Sequence, residues 1–463
     1  MTAVSGIVLL IGIFATAYSR RVLGPAAIGQ LNWNAALLAF LSLLATPGLA
    51  IVGQRDIAAN PTQTASITSL VLGLQMLFGL VAYAVVAVIA LLDPRGGQAS
   101  TLLLIQGVII LINAGSTIWV LQAHQRMAGP AIASLVINLL QIPALLLLIR
   151  EPGDIYLFAA YTLPFSLALV GYYFWYLQHH GLLRLADVRP RLAAGGKLLS
   201  EAWPLALSLL AVLVVYNGGA ILLGFSHSDT EVGLYTTAYR LMFISTVVSG
   251  AMMSAYFPVL AQVAGDTQQA RRTSHDFATL MVWMGLPIAA LGWACGRHVN
   301  DLLFGNQFAA AGPYFEWLCL VVALTFTNIG LGTPLLTWGH QKLHLKIIAT
   351  SAAASLVLNA LLIPHYGSWG AIAVLLAAET MSVTMLAIAR RRLELGRFEL
   401  LPLLTPPLLC SLAVALGITL LPASAHRFWW LEVAIGAALL GACLLLFERR
   451  IARAAWSLAR RAR

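Results

Sequence analysis

The chain has 463 residues, 60% of them hydrophobic and only 10% charged, with a formal net charge of +10 at pH 7. A soluble domain carries about 25% charged residues, so water cannot be the solvent for most of this surface. Lipid must be, and because lipid leaves no unpaired backbone, apolar runs of about 20 residues select helices over barrel strands. The excess cations sit in loops on one side, which excludes a nucleic-acid partner.

In chain order, apolar runs predict six helices near residues 4–18, 31–53, 66–92, 101–122, 130–149 and 155–178. A polar segment at 179–202 reads as a cytoplasmic linker. Six more follow near 203–225, 234–262, 275–295, 314–338, 345–364 and 369–390, and two close the chain near 401–421 and 428–447. This predicts an all-α membrane protein of about 14 transmembrane helices. Residues 1–178 form one six-helix lobe, 203–392 a second, 393–448 carry two further helices, and 449–463 form a basic cytoplasmic tail. Cys295, Cys319, Cys410 and Cys443 stand singly in apolar runs and read as packed small hydrophobes.

Lys and Arg concentrate in cytoplasmic loops. Connections after even-numbered predicted helices hold Arg55, Arg126, Arg184, Arg189, Arg191, Lys197, Arg271, Arg272, Lys342, Lys346, Arg390, Arg391, Arg392 and Arg397, and the tail adds six arginines. The opposite face holds Arg20, Arg21, Arg95, Arg150, Arg297 and Arg427. This split puts both termini in the cytoplasm, and one missed helix would have mixed the two sets. Arg20 and Arg21 fall on the outer side. Either they face an internal cavity or the true N-terminus lies upstream. A cleaved signal peptide is not expected.

Two pairs of segments point to an internal duplication. Arg21 to Gln30, with Gly24 and Gly29, corresponds to Leu222–Phe225 with Glu231–Tyr235, including Gly224 and Gly233. His124-Gln125-Arg126-Met127 corresponds to His340-Gln341-Lys342-Leu343. Six helices separate the copies, so the lobes share one orientation, as parallel repeats do in transporters.

At these residues the chain resembles the polysaccharide-biosynthesis flippases of the multidrug/oligosaccharidyl-lipid/polysaccharide exporter superfamily. The resemblance covers almost the whole chain. It rests on Arg21-Val22-Leu23-Gly24-Pro25 with Ile28-Gly29, on Leu223-Gly224 with Val232-Gly233-Leu234-Tyr235 and Ala238-Tyr239-Arg240-Leu241, and on Asn359 with Ile363-Pro364, Gly367 and Gly370-Ala371. It implies a V-shaped pair of lobes like the multidrug exporters of that superfamily, and movement of a polyprenyl-diphosphate-linked oligosaccharide from the inner to the outer leaflet of the cytoplasmic membrane by alternating access, without a cofactor. Polysaccharide-assembly proteins are the implied partners. Members often carry an acid five residues before the glycine matching Gly224. Here that place is Gly219.

Arg240, about six residues inside the eighth predicted helix and hence roughly 9 Å deep, reads either as a snorkelling cation or as a donor fork for a diphosphate. With Arg20 and Arg21 it makes the expected anion-binding set; snorkelling or loop solvation is the alternative for at least one of the three. Asn217, Tyr235 and Tyr239 are candidate saccharide contacts, against interhelical hydrogen bonding and an aromatic belt. Asn32, Asn34, Asn113, Asn138, Gln141, Asn328 and Asn359 add further intramembrane amides, and Tyr18 and Tyr216 further rings. Of the acids within helices, Glu316 and Glu379, Glu379 is the candidate coupling site for a cation or proton, against a neutral structural glutamate. No HExxH, GxSxG, P-loop or paired-carboxylate pattern occurs, so neither a metal site nor an enzyme is expected. A cation-coupled exporter of small molecules and a membrane-embedded transferase are the alternatives.

Overall fold

The computed structural model describes residues 2–93, 95–183, 195–263, 266–393, 400–419, 435–436 and 438–439. The linker cations Arg184, Arg189 and Arg191, Arg397, Arg427, Cys443, nearly all of the last predicted helix and the basic tail lie outside the described residues. Among those described, secondary structure is entirely helical. The helices are α1 (Thr2–Ala45), α2 (Leu49–Ala59), α3 (Thr64–Leu92), α4 (Gly97–Ala114), α5 (Ile118–Ala123), α6 (Ala128–Leu148) and α7 (Ile155–Ala160). They continue with α8 (Thr162–His179), α9 (Gly195–Ser226), α10 (Asp229–Gln262), α11 (Thr267–Phe304), α12 (Ala311–Thr337), α13 (Gln341–Arg392) and α14 (Leu400–Thr419). Ten stretches among the described residues are long and apolar enough to cross a membrane, and the protein is a multi-pass membrane protein.

Two of those stretches each contain two predicted helices. A straight α1 of 44 residues would be roughly 66 Å long, about twice a bilayer's hydrocarbon core. The chain solves this with a one-residue break. Gly24 adopts φ 79°, ψ 171° ahead of Pro25, a conformation closed to residues with a Cβ, and proline restarts the helix with its missing N–H unneeded. The 52-residue α13 is broken at Gly367, at φ 54°, ψ −132°. Beyond it the chain doubles back, so that a Cβ added at Gly370 would stand 2.8 Å from the carbonyl oxygen of Leu362.

The chain divides into two compact units. The first comprises Met1–Leu213 with Ser228–Gly233. In it α1 packs on α3 and α4, α3 on α4, α2 on α5, and α6 on α8. One core cluster joins Leu38, Ala82, Val86, Leu103 and Ile110, and another joins Leu49, Ile57, Val71, Trp119 and Leu177. The second unit comprises Val214–His227 with Leu234–Arg463, where α12 packs on α11 and α13, and α11 also on α14. Its core includes Ala278, Leu331, Leu335, Ile347 and Leu386. Side chains such as Leu91, Leu147, Leu167, Leu361 and Leu409 are exposed, as a surface solvated by lipid requires.

Equivalent turns recur in the two units, with a shift from the register read in the sequence. After α5, the Arg126 amide donates to Leu121 O across left-handed Gln125 (φ 56°); after α12, the His340 amide donates to Leu335 O across left-handed Gly339 (φ 82°). Both are helix-ending Schellman-type caps. They align Arg126, rather than His124, with His340.

Candidate functional site

In the second unit a polar cluster forms around Glu379, which the second half of α13 buries to 3% exposure. The Tyr216 hydroxyl, from α9, donates to Glu379 Oε1 at 2.6 Å. From α12, the Asn328 amide donates to Glu379 Oε2 at 3.0 Å and to Ser382 Oγ at 2.9 Å. Both carboxylate oxygens thus accept a bond, which is the condition for tolerating such a group in lipid. Tyr235 and Tyr239 are one turn apart on α10, their rings 6.1 Å apart. The Tyr235 hydroxyl lies 3.4 Å from where a Cβ at Gly219 would stand, with Asn359 Oδ1 3.8 Å from the same point. Residues of α9, α10, α12 and both halves of α13 therefore converge on one buried polar region. Asn217 is half-buried on α9 beside Tyr216. Arg240 is exposed, and because α10 begins at Asp229 rather than near Leu234, it lies about eleven residues into its helix, roughly 16 Å by helical rise.

In the first unit Arg20 is buried on α1, donating from Nη1 to Thr16 O at 3.5 Å, while the neighbouring Arg21 is exposed. The Tyr18 hydroxyl donates to Ile149 O at 2.8 Å. The expected arginine set is thus distributed, Arg20 and Arg21 in one unit and Arg240 in the other.

Sequence reasoning missed a second charged group in the first unit. The Arg95 guanidinium lies 3.9 Å from the Trp33 ring centroid, donates to Asp93 at 2.9 and 3.1 Å, and reaches Asp229 Oδ1 at 3.6 Å. Burial by itself would raise the Asp93 carboxyl, but hydrogen bonds from the Arg95 side chain and amide outweigh it and hold the group below its ordinary value. The Asp93-x-Arg95 spacing could have signalled the local bond. Nothing in the sequence signals Trp33 or Asp229 as partners.

Two other charges change character. Arg390, counted from sequence as a loop cation, is fully buried in the last turn of α13, where it donates to Ser274 Oγ and, at 3.5 Å, to Leu331 O. Glu316 accepts two bonds from Arg297, at 2.7 and 3.2 Å. That pairing occupies its carboxylate and sets it apart from the Glu379 cluster. No group of three or more His, Cys, Asp or Glu with metal-ligand geometry occurs among the described residues.

The profile of a family described as "Polysaccharide biosynthesis protein" matches residues 1–264. A putative O-antigen transporter of Shigella dysenteriae is 24% identical over 276 residues, 57% of this chain and 66% of that protein. A probable low-salt glycan biosynthesis flippase, Agl15, of Haloferax volcanii is 25% identical over 152 residues, 32% of each chain. The chain therefore spans between about a third and two thirds of the length of these curated relatives. Among solved structures, the lipid II flippase MurJ in an inward closed conformation superposes with a TM-score of 0.79 at 13% identity, covering 97% of this chain and 98% of that one. At that identity the likeness establishes the fold.

Proposed function

The chain belongs to the polysaccharide biosynthesis protein family, and from that premise we propose that it is a flippase for a lipid-linked saccharide. The substrate is a polyprenyl-diphosphate-linked oligosaccharide, moved from the inner to the outer leaflet of the cytoplasmic membrane for cell-surface polysaccharide synthesis. Alternating access of two lobes, residues 1–178 and 203–392, joined by the linker 179–202, carries it across, with both termini cytoplasmic and no catalytic step. The observation that carries this reading is the family match over more than half of the chain. A relative described as an O-antigen transporter and another described as a glycan flippase support it.

In this reading Arg20, Arg21 and Arg240 bind the diphosphate. A guanidinium offers the planar donor fork that phosphate oxygens accept, and it stays charged in a low-dielectric setting. Asn217, Tyr235 and Tyr239 contact the saccharide, amides and phenols supplying hydrogen bonds and ring faces. Two negative charges moving to the positive side of a 100 mV potential gain roughly 4.6 kcal/mol at about 2.3 kcal/mol per charge, enough to bias the outward step.

The buried Glu379 cluster favours one addition. As a carboxylate inside a membrane span, it is the group in this unit suited to take up a proton or cation, and it serves as the coupling site. A cation-coupled exporter of small molecules would use the same group, but among the described residues the first unit has no buried acid in its spans to match it. Native mass spectrometry of the purified protein tests the substrate reading. A polyprenyl-diphosphate saccharide should be retained by the wild type and lost when Arg20, Arg21 and Arg240 are all made Ala. Equal retention by the variant removes those arginines from the site.

A further inference from the structure

Three helices of the second unit enclose a groove because small residues face one another. Ala289 of α11, Ala323 of α12, and Ser411 and Ala415 of α14 form its floor, all buried, between larger apolar side chains. Its volume is about 300 Å³. The lining runs over residues 286–293 of α11, 317–323 of α12 and 408–416 of α14, roughly 9–12 Å along each helix, so the groove follows the helix axes and suits an extended hydrocarbon chain.

One end of the groove has a different chemistry. Trp293 and Trp317 meet there edge to face, ring centroids 5.3 Å apart at 66°. Trp317 continues to Trp369 at 6.4 Å and 87°, and Trp369 to Tyr314 at 5.0 Å and 85°. Trp317 and Trp369 stay 44% and 43% exposed, so their rings are held by one another and still offer surface. Arg297 stands one turn beyond Trp293 on α11, and Glu316, beside Trp317 on α12, holds its guanidinium by two bonds at 2.7 and 3.2 Å. Those bonds use Nε and Nη2, which leaves further N–H donors of the guanidinium beside the rings. An aromatic belt places single rings at a membrane interface; it does not call for rings locked together beside a two-bond ion pair. A pyranose has a face of C–H bonds that packs on an indole and a rim of hydroxyls that pair with oriented planar donors. The head groups of phosphatidylethanolamine and phosphatidylglycerol offer no such face, and a sugar without a lipid chain has no use for the apolar groove. One molecule that joins a sugar to a hydrocarbon chain matches both parts.

We propose that Trp317 and Trp369, with Arg297 held by Glu316, form a docking platform for the sugar of a lipid-linked saccharide whose hydrocarbon chain enters the groove between α11, α12 and α14. The ligand class rests on the flippase reading. With both termini cytoplasmic, the platform faces the outer leaflet and receives the head group after it has crossed.

Leu412 and Leu416 line the groove and are 48% and 58% exposed, whereas Leu409 on the same helix is 65% exposed and does not line it. Each of the three is replaced in turn by the photocrosslinker p-benzoylphenylalanine in the full chain, reconstituted in liposomes of phosphatidylethanolamine and phosphatidylglycerol that carry radiolabelled undecaprenyl-diphosphate N-acetylglucosamine. Positions 412 and 416 should label this probe about fivefold more than position 409, and undecaprenyl diphosphate without the sugar should label them about tenfold less well. Trp317→Ala combined with Trp369→Ala, and separately Arg297→Gln, should lower labelling by the saccharide probe to the level of the sugar-free one, as truncating an aromatic or Arg anchor does. Native elution on size exclusion and unchanged labelling at position 409 show that the variants are folded. Equal labelling at all three positions, or labelling at 412 and 416 indifferent to the sugar and to the platform variants, makes the groove ordinary lipid-facing surface and overturns the proposal. Translocation without selective labelling removes the platform and leaves the flippase reading standing; selective labelling without translocation does the reverse.

Discussion

Tyr216 and Glu379 lie 163 residues apart in sequence and 2.6 Å apart through a hydroxyl-to-carboxylate bond. Tyr216→Phe removes the hydroxyl and strands Glu379 Oε1 in a region where water does not replace the lost donor. Leaving a buried acceptor unsatisfied costs about 1–3 kcal/mol. Glu379→Met removes the acceptor that the Tyr216 hydroxyl and one Asn328 N–H share, leaving Asn328 its bond to Ser382 Oγ, at a cost of the same order. The double variant places two apolar groups face to face, and replacing both partners of a bond with groups of like shape can be nearly neutral. Its loss should therefore fall short of the sum of the single losses by about 1–3 kcal/mol. In a unit of 150–250 residues each kcal/mol shifts Tm by about 2–4 °C, so Tyr216→Phe lowers Tm by roughly 4–8 °C for a mid-range loss. Thermal unfolding of the purified protein in one detergent, followed by intrinsic fluorescence, measures all four corners of the cycle. Additive single losses, or a Tyr216→Phe shift near zero, would refute the pairing as the element that holds Glu379.

His124 lies against Thr64, its Nε2 3.0 Å from Oγ1, and burial followed by the nearby Arg126 cation pushes its pKa down. A depressed histidine binds protons later in the folded state than in the unfolded chain, so its contribution is intact at neutral pH and is lost as pH falls below about 6.5. The wild type should lose more Tm between about pH 7 and pH 5 than His124→Gln does, and equal losses would show that His124 does not titrate against folding. Gly367→Ala should lower Tm, since φ 54°, ψ −132° costs a residue with a Cβ of order 1–3 kcal/mol. Gly250, helical in α10 with open space around it, is the control: Gly250→Ala should be neutral or raise Tm slightly.

The apolar spans were legible because composition and run length alone enforce them. The breaks at Gly24 and Gly367 were visible as Gly and Pro signals, but one-residue breaks look like short loops in sequence. Charged ends misled in a consistent direction. Asp229 and Glu231 read as loop residues, whereas both sit comfortably in the first turn of α10, where acids complement the helix dipole. That extension takes Arg240 from roughly 9 Å to roughly 16 Å into its helix. Arg390 heads a run of three arginines and so read as solvated, and packing decided otherwise for the first of them. The glycine repeat was legible at Gly29 and Gly233 as a spacing. That the two touch, a Cβ added at Gly29 standing 2.8 Å from Gly233 N, was not, because contact between copies leaves no mark in either copy alone. Tyr216 was visible as an aromatic and Glu379 as an acid. Their bond was not, because a tertiary pairing of helices so distant in sequence has no local signature.

In the proposed function this protein carries the head group of a lipid-linked saccharide across the bilayer. Its most direct test is translocation in proteoliposomes, read by a membrane-impermeant reagent that modifies the saccharide only on the exposed leaflet. Purified protein should render the inner-leaflet head group accessible, faster with a potential that is positive on the receiving side, and replacement of Arg20, Arg21 and Arg240 by Ala should reduce the rate to that of protein-free liposomes. Accessibility no greater with the wild-type protein than without it would contradict the account.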